Sequence, residues 1–313
     1  MEINDAAISD LTLKHTRDIN LLLDDKRPAV IGSLNNLTKL IESKEVSLQA
    51  KIFFFENRVL RNFLVVLENN SDSVRESAIK MLVKLNDQLD PSVKDCSLKH
   101  ETQDAILLKL ISRVNSIPFR ETIEEIRLSI CRLFLKLLRN FNQGLYKNLS
   151  DAIQVCSCLL QDKYPENKKE TCALIIALAT QMPELVGMSC RRMLVPLMAN
   201  CSHSHSKVRK VSMECIGQLL ILPKAGECFK DVFDGIKGLL DDKNPEIREE
   251  AYKSLGLCLQ NFGFADIKQY EIGIIAEILS ALDDDNERIR SLGSHILESF
   301  ATRRKGLFEK YNS

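Results

Sequence analysis

The stretch LLDDKNPEIREEAYKSLGL, residues 239–257, carries the pattern that decides the fold class. It ends one apolar run, turns through polar residues that include Asp242 and Pro245, and begins a second run at Ile247 and Arg248. A short polar side chain before a helix and a proline in its first turn are both typical of helix starts. The stretch therefore predicts two helices joined by a short polar turn.

Similar stretches recur along the chain, and each places an aliphatic residue and then a basic one near the start of the second helix. They read VLENNSDSVRESAIKMLVKL (66–85), LMANCSHSHSKVRKVSMECIGQLL (197–220) and LSALDDDNERIRSLGSHIL (279–297). Recurrence of one helix pair at a fixed spacing indicates a repeat protein, in which each unit packs against its neighbours.

The basic residue of each copy makes the period countable. The series is Arg75, Arg127, Lys168, Arg209, Arg248 and Arg290, at spacings of 52, 41, 41, 39 and 42 residues. A period near 40 residues is that of HEAT and armadillo repeats, which contain two or three helices each. The long first interval contains the polar stretch Asp90–Thr102, which we interpret as an insertion between repeats.

A second marker, a polar residue six positions before each basic residue, keeps the same phase. These marker residues are Asn69, Glu121, Asp162, His203, Asp242 and Asp284. Asp25, six positions before Ile31, is interpreted as a degenerate first copy. We expect each marker to close the first helix of its pair or to cap the second.

We expect the basic residues to bridge to acidic residues of their own repeat or of the next one. A guanidinium suits this role better than an ammonium because its planar fork offers five donors. The predicted result is a structural ladder rather than a ligand site. Its residues are Arg75, Arg127, Lys168, Arg209, Arg248, Arg290, Asp162, Asp242 and Asp284.

These patterns predict an all-α fold, a right-handed α-solenoid of about seven HEAT- or armadillo-type helix pairs, with residues 1–313 as one solenoid. Apolar residues at four-residue steps predict the buried face of the second helices. Two such sets are Val74, Ala78, Leu82, Leu85 and Ile247, Ala251, Leu255, Leu259. The repeats are predicted at about 5–43, 50–90, 102–141, 148–181, 189–222, 228–262 and 269–303.

The amino-acid composition disfavours some classes of function. Lys plus Arg and Asp plus Glu both count 43, so the net charge is zero, which disfavours nucleic acid and polybasic membrane binding. We find no apolar run of 18 residues and no pattern of a signal peptide. The ten cysteines are interpreted as reduced, small hydrophobic residues, so we expect a cytoplasmic protein.

No catalytic or cofactor motif stands out, so we predict neither an enzyme nor a cofactor or metal. The motifs sought include the P-loop, GxGxxG, GxSxG, HExxH and paired CxxC patterns. His203 and His205 could form a metal pair, but we interpret them as part of a solvated or capping turn. Cys156 and Cys158 are assigned to a helix core, since residues two apart do not face each other there.

Acidic and aromatic clusters receive structural interpretations as well. Asp241–Asp242 and Asp283–Asp285 could suggest a cation site, but carboxylates are favoured at helix N-termini by the dipole. Phe53–Phe55 is expected to anchor a first helix in the core, the alternative being one ring exposed to a partner.

Two segments carry a family resemblance: YPENKKETCALIIALATQMPE (164–184) and LVPLMANCSHSHSKVRKVSMECIGQLL (194–220). They resemble the HEAT-repeat dynein axonemal assembly factor family, in a P-E-x-K-x-E-x-C segment followed by an S-H-x-H-x-K-V-R turn. The matching residues are Pro165, Glu166, Lys168, Glu170, Cys172, Ser202, His203, His205, Lys207, Val208 and Arg209. Members of that family are longer, so the resemblance implies a short or truncated member.

The resemblance implies a non-catalytic, cytoplasmic scaffold for preassembly of the axonemal dynein arms that drive ciliary or flagellar motility. Dynein chains, chaperones or other assembly factors would be its partners, near the base of the cilium or elsewhere in the cytoplasm. A concave row of second helices is the expected binding surface. The alternative is another HEAT-repeat adaptor, of the transport-receptor, phosphatase-scaffold or tubulin-binding type. An enzyme is the third hypothesis.

Overall fold

The structure, a computed structural model, describes residues 5–90, 92–93, 96–140, 144–261 and 270–311. Within these ranges all regular secondary structure is helical, so the all-α class expected from the sequence is confirmed. The chain divides into two compact units, Met1–Cys158 and Leu159–Ser313, each of which is described by itself.

The helices of the first unit form successive pairs. They are α1 (Asp5–Leu21), α2 (Arg27–Glu42), α3 (Leu48–Phe54), α4 (Leu60–Val66), α5 (Asp72–Asn86), α6 (His100–Val114), α7 (Glu124–Asn140) and α8 (Gly144–Leu159). A π-helical turn over Phe55–Val59 joins α3 to α4, so these two helices together occupy the place of one first helix.

The second unit continues the same alternation. Its helices are α9 (Pro165–Gln181), α10 (Pro183–Ser189), α11 (Arg191–Asn200), α12 (Ser206–Leu220), α13 (Phe229–Leu240), α14 (Pro245–Asn261), α15 (Glu271–Ser280) and α16 (Glu287–Tyr311). Short 3₁₀ turns at Ala225–Cys228 and Ala281–Asp283 lie in the connections.

Second helices of successive pairs pack against one another within each unit. In the first unit α2 packs on α5 and α5 on α7, and in the second α9 packs on α12, α12 on α14 and α14 on α16. Stacking of one helix pair on the next is the defining arrangement of an α-solenoid, which confirms the predicted fold class. The division into seven repeats at the stated bounds stays a prediction.

The predicted apolar faces are buried. Val74, Ala78, Leu82 and Leu85 in α5 are at most 4% exposed, and the set from Ile247 to Leu259 in α14 is at most 1% exposed. Small residues allow the close approach of these helices. A methyl group at Gly217 in α12 would lie 2.4 Å from the hydroxyl oxygen of Ser254 in α14.

The phenylalanine cluster lies in the core, as predicted. Phe54 and Phe55 are buried, Phe53 is half-buried, and the ring of Phe55 meets that of Phe63 edge-on at 5.5 Å. The predicted insertion over Asp90–Thr102 is wrong at its end, because α6 already begins at His100 and Thr102 is buried within it.

Candidate functional site

The basic residue of each repeat lies in the first turns of a second helix and binds backward to its own repeat. One terminal nitrogen, Nη1, donates to the backbone carbonyl of the marker residue six positions earlier, at 2.8–2.9 Å. The residues with this contact are Arg75, Arg127, Arg209, Arg248 and Arg290. The constant offset of six residues therefore has a geometric cause.

The side chain of each marker residue accepts a hydrogen bond from the backbone N–H two residues later. Asp242 Oδ1 accepts from Asn244 at 2.9 Å, and Asp284 Oδ1 accepts from Asn286 at 2.8 Å. The same turn forms at Asn69, Glu121, Asp162 and His203. Short polar side chains favour such turns because they imitate a backbone acceptor.

Of the two roles expected of the marker, closing the first helix is the one observed: its backbone N–H donates to a carbonyl three residues earlier, as from Asp242 to Leu239 and from Asp284 to Ala281, both at 3.2 Å. At α14 and α16 the residue two positions after the marker caps the second helix: Asn244 Oδ1 accepts from Glu246 N, and Asn286 Oδ1 from Arg288 N. In these two copies the marker closes the connecting turn and the cap follows it.

The first copy of the marker is Asp24 rather than the predicted Asp25. Asp24 Oδ1 accepts from Lys26 N at 2.7 Å, and α2 begins at Arg27, three residues after Asp24 as in the other copies. The basic position then falls on Val30, which is buried, and not on Ile31. The prediction was one residue out of register because two aspartates stand side by side.

Three of the arginines also bind the carboxylate of the marker in the following repeat. Arg75 Nε and Nη2 donate to the two oxygens of Glu121, both at 2.7 Å. Arg248 binds Asp284 in the same two-point manner at 2.8 Å, and Arg209 binds Asp242 at 2.7 and 3.0 Å. Such paired hydrogen bonds between ions are among the strongest side-chain contacts.

Lys168 makes the corresponding contact differently. Its ammonium donates to the carbonyl of Leu160 and to Oδ1 of Asn200, both at 2.7 Å, and Asn200 Nδ2 also donates to Leu160. The marker of the next repeat is His203, which carries no carboxylate, so the amide of Asn200 serves as the acceptor. Burial lowers the pKa of Lys168, and the charge of Asp162 opposes that change.

Asp162, the remaining predicted ladder residue, is buried within the second unit. Its carboxylate accepts from the backbone N–H of Tyr164 at 3.0 Å and from the amide of Asn167 at 2.7 Å. Arg290 in α16 donates to the carbonyls of Asp284 and Asp285. The guanidinium of Arg127 lies over the ring of Phe119 at 4.7 Å.

Two residues of this network carry no periodic signal in the sequence. Arg113 in α6 donates from Nε to Glu121 Oε2 at 2.9 Å, so Glu121 binds two guanidiniums. The Glu121 carboxylate is fully buried, and burial alone would raise its pKa, but Arg75 and Arg113 outweigh burial and lower it. Asn200 is the second such residue. The only cue to it in the sequence is that it lies three residues before His203.

His203 and His205 lie in the turn before α12, and Cys156 and Cys158 lie in α8. The rings of His203 and His205 stack at 5.3 Å, and burial followed by the nearby cations lowers the pKa of His203. Cys156 and Cys158 are buried in α8, and the other eight cysteines are buried as well. Among the described residues no cluster of three or more His, Cys, Asp or Glu side chains has the geometry to hold a metal ion. No helix in the described part of the chain is both long and apolar enough to cross a membrane.

Replacing Arg248 with alanine is expected to lower the free energy of unfolding by about 1–3 kcal/mol. The change removes a nearly buried two-point ion pair with Asp284 and a hydrogen bond to the Asp242 carbonyl. Urea denaturation followed by circular dichroism measures the loss. Arg288→Ala, at an exposed site on α16, is the control, and equal stability of the two variants would contradict a structural role for the ladder.

Acid is expected to weaken the joints of the second unit. The hydrogen bond from Arg209 lowers the pKa of Asp242, and that from Arg248 lowers the pKa of Asp284 to about 2. Because each folded-state pKa lies below the unfolded value of 3.8, the stabilisation is complete above about pH 4. For the joint at Asp284 this stabilisation is lost as the pH falls toward about 2. Urea denaturation at stepped pH measures this decline.

The variant Asp284→Asn separates this joint from the other carboxylates. We expect the variant to be less stable than the parent chain at pH 7, and the difference to narrow by about pH 2, where the parent carboxylate is also taking up a proton. A difference of constant size over the whole pH range would contradict the assignment.

Comparison with known proteins gives a family match over most of the chain. A family model described as "Dynein axonemal assembly factor 5-like, TPR repeats" matches residues 21–304. The basic positions here recur at 39 to 42 residues outside one longer interval, which is nearer the HEAT period than the 34 residues of a TPR.

Two curated relatives bear the name dynein axonemal assembly factor 5. The chain is 26% identical to the Xenopus laevis protein over 287 residues, covering 91% of this chain and 33% of that protein. It is 24% identical to the Homo sapiens protein over 283 residues, covering 88% and 32%. The chain thus spans about a third of the length of the curated relatives it matches.

Solved structures similar to this one include an engineered protein and a designed armadillo repeat protein. An engineered protein aligns with a TM-score of 0.61 at 14% identity, covering 95% of this chain and 71% of its own. A designed armadillo repeat protein aligns with a TM-score of 0.55 at 15% identity, covering 77% and 98%. These likenesses support the fold assignment alone.

Proposed function

Since the chain belongs to the family of dynein axonemal assembly factor 5-like repeat proteins, we propose that it is a non-catalytic scaffold for cytoplasmic preassembly of axonemal dynein arms. Its partners are dynein chains, chaperones or other assembly factors. The observation that carries the proposal is the family match over residues 21–304, together with curated relatives named for dynein assembly.

The structural role of the buried charged residues supports a scaffold function rather than an enzymatic one. The most deeply buried ion pairs, such as that of Arg75 with Glu121, join consecutive helix pairs, so these charged groups have a structural role. Strongly perturbed titratable groups in a cleft would point to catalysis. Here the lowered pKa values of Asp242 and Asp284 are those of structural ion-pair partners.

The distribution of exposed apolar side chains bears on which face binds. Large exposed apolar residues lie on first helices, on α10 and in connections, and the described second helices expose none. Examples on first helices are Leu13, Val65, Leu108, Val195 and Ile272. Isolated exposed aliphatic residues on the first helices of each unit suit an extended or partly folded client, which is bound weakly at many points. We propose that within each unit the second helices make polar contacts with the client and the first helices make apolar ones.

Affinity purification tests the function. The tagged 313-residue chain is expressed in ciliated cells, and co-purifying proteins are identified by mass spectrometry. A designed armadillo repeat protein of similar length, carrying the same tag, is the control. We expect dynein heavy or intermediate chains, or chaperones, to be enriched over the control. Enrichment of transport, phosphatase or tubulin complexes instead, or of nothing, would overturn the proposal.

A further inference from the structure

A polar cavity of about 210 Å³ lies in the first unit where the α4–α5 turn meets the end of α6. Its wall is made of charged and amide or hydroxyl side chains, among them Arg75, Arg113 and Arg120. The volume is far above the roughly 15 Å³ that one water needs, so a side chain of a partner fits within it. Arg120 lies at the rim, with 52% of its side chain exposed.

Arg113 is the buried cation of this cavity with unused hydrogen-bonding capacity. Its side chain is 6% exposed; Nε donates to Glu121, and Nη2 makes a long contact of 3.5 Å to the carbonyl of Arg120. Nη1 donates to no described residue. In Arg75 beside it, by contrast, all three nitrogens donate at 2.7–2.9 Å. A guanidinium has five N–H groups, so Nη1 of Arg113 keeps donors available to a ligand that enters the cavity.

The wall and the side chains that form described ion pairs with it carry one more cation than carboxylate. The cations are Arg75, Lys109, Arg113 and Arg120, and the carboxylates are Glu68, Asp72 and Glu121. Burial lowers the pKa of Arg113, and the charge of Glu121 offsets this only in part. One further negative charge would neutralise the group and supply an acceptor for Arg113.

We propose that this cavity binds a carboxylate side chain from an acidic segment of a protein partner, held by Arg113 within and Arg120 at the rim. A carboxylate carries the single charge that the surplus requires, and its two oxygens match the fork of a guanidinium. The carboxylates of Glu68 and Asp72 in the wall would repel a doubly charged phosphate group more strongly than a singly charged carboxylate. The inference deepens the proposed function and rests on it for the nature of the partner.

Fluorescence anisotropy with the full chain tests the site. The probe is a fluorescein-labelled peptide Gly-Ser-Glu-Asp-Glu-Ser-Gly, and the matched control peptide replaces its acidic residues with Gln-Asn-Gln. We expect the acidic peptide to bind and the amide peptide to bind at least about tenfold more weakly, as the loss of a charge-assisted hydrogen bond implies. Equal binding of the two peptides, or no binding of the acidic one, would overturn the proposal.

Substitutions locate the binding. Arg113→Gln and Arg120→Ala should each weaken binding of the acidic peptide about tenfold, whereas Arg288→Ala in the second unit should leave it unchanged. Arg120 is half-exposed, so its variant reports on the site even where the Arg113 variant loses stability. Binding that neither variant alters would place the peptide elsewhere and overturn the proposal.

Competition distinguishes the anion. Acetate at high concentration should displace the peptide at least as well as inorganic phosphate at equal ionic strength, and stronger displacement by phosphate would overturn the carboxylate assignment. Because the titration uses the chain alone, its failure leaves recovery of dynein chains from cells unaffected. Failure of that recovery likewise leaves the measured peptide affinity unaffected.

Discussion

Replacing Glu121 with glutamine is expected to lower the free energy of unfolding by about 3–5 kcal/mol, the loss typical of breaking a buried ion pair. The carboxylate is fully buried and accepts from Arg75 at two points and from Arg113 at a third. Glutamine keeps the size of the side chain but leaves Arg113 without its anion and Arg75 with only the exposed carboxylate of Asp72. Urea denaturation followed by circular dichroism measures the loss.

The effect of Glu121→Gln should be local as well as large. Repeats contact only their neighbours, so hydrogen exchange should accelerate first in α5, α6 and α7. Glu101→Gln, at an exposed site on α6, is the matched control and should change stability by no more than about 0.5 kcal/mol. A loss below about 1 kcal/mol for Glu121→Gln would show that the buried cluster contributes little.

Leu255→Ala should destabilise the second unit by about 2–5 kcal/mol, which is the cost of a core cavity after truncation of a leucine. Leu255 is fully buried in α14, a second helix that packs on both α12 and α16. The neighbours cannot collapse into the gap easily, because helices on both sides hold α14 in place. Thermal and urea denaturation measure the loss, and hydrogen exchange assigns it to α14.

Leu279→Ala is the matched control for Leu255→Ala. Leu279 lies in the same unit, on α15, but is 49% exposed, so its truncation should cost about 0.5 kcal/mol or less. Similar losses for the two leucine variants would contradict the predicted burial pattern of the second helices.

The helix pairs and their phase could be predicted because their signals are local. Pro165 and Pro245 stand at the first position of their helices, and the stripe from Ile247 to Leu259 steps along one helix face. Such features depend on residues within one or two turns of each other. The same locality explains the error at Asp25, where two adjacent aspartates are equivalent until the hydrogen bond to Lys26 distinguishes them.

The site was predicted in part. The offset of six residues identified Arg75, Arg209 and Arg248, because the backbone contact it reflects is made within one repeat. Arg113 could not be found this way, since it lies on a first helix and has no counterpart at the repeat period. Asn200 accepts from Lys168 in place of the marker residue His203, and this contact was missed for a similar reason.

The sequence by itself determined the all-α repeat class and the arginine series, since local backbone geometry and apolar periodicity suffice for them. Only the tertiary structure decided which carboxylate each arginine binds, that two guanidiniums share Glu121, and that a polar cavity remains beside Arg113. These contacts join residues as much as 46 positions apart, as for Arg75 and Glu121, and depend on how one helix pair packs against the next. That packing is set by the shapes of the meeting faces, which no repeat period specifies.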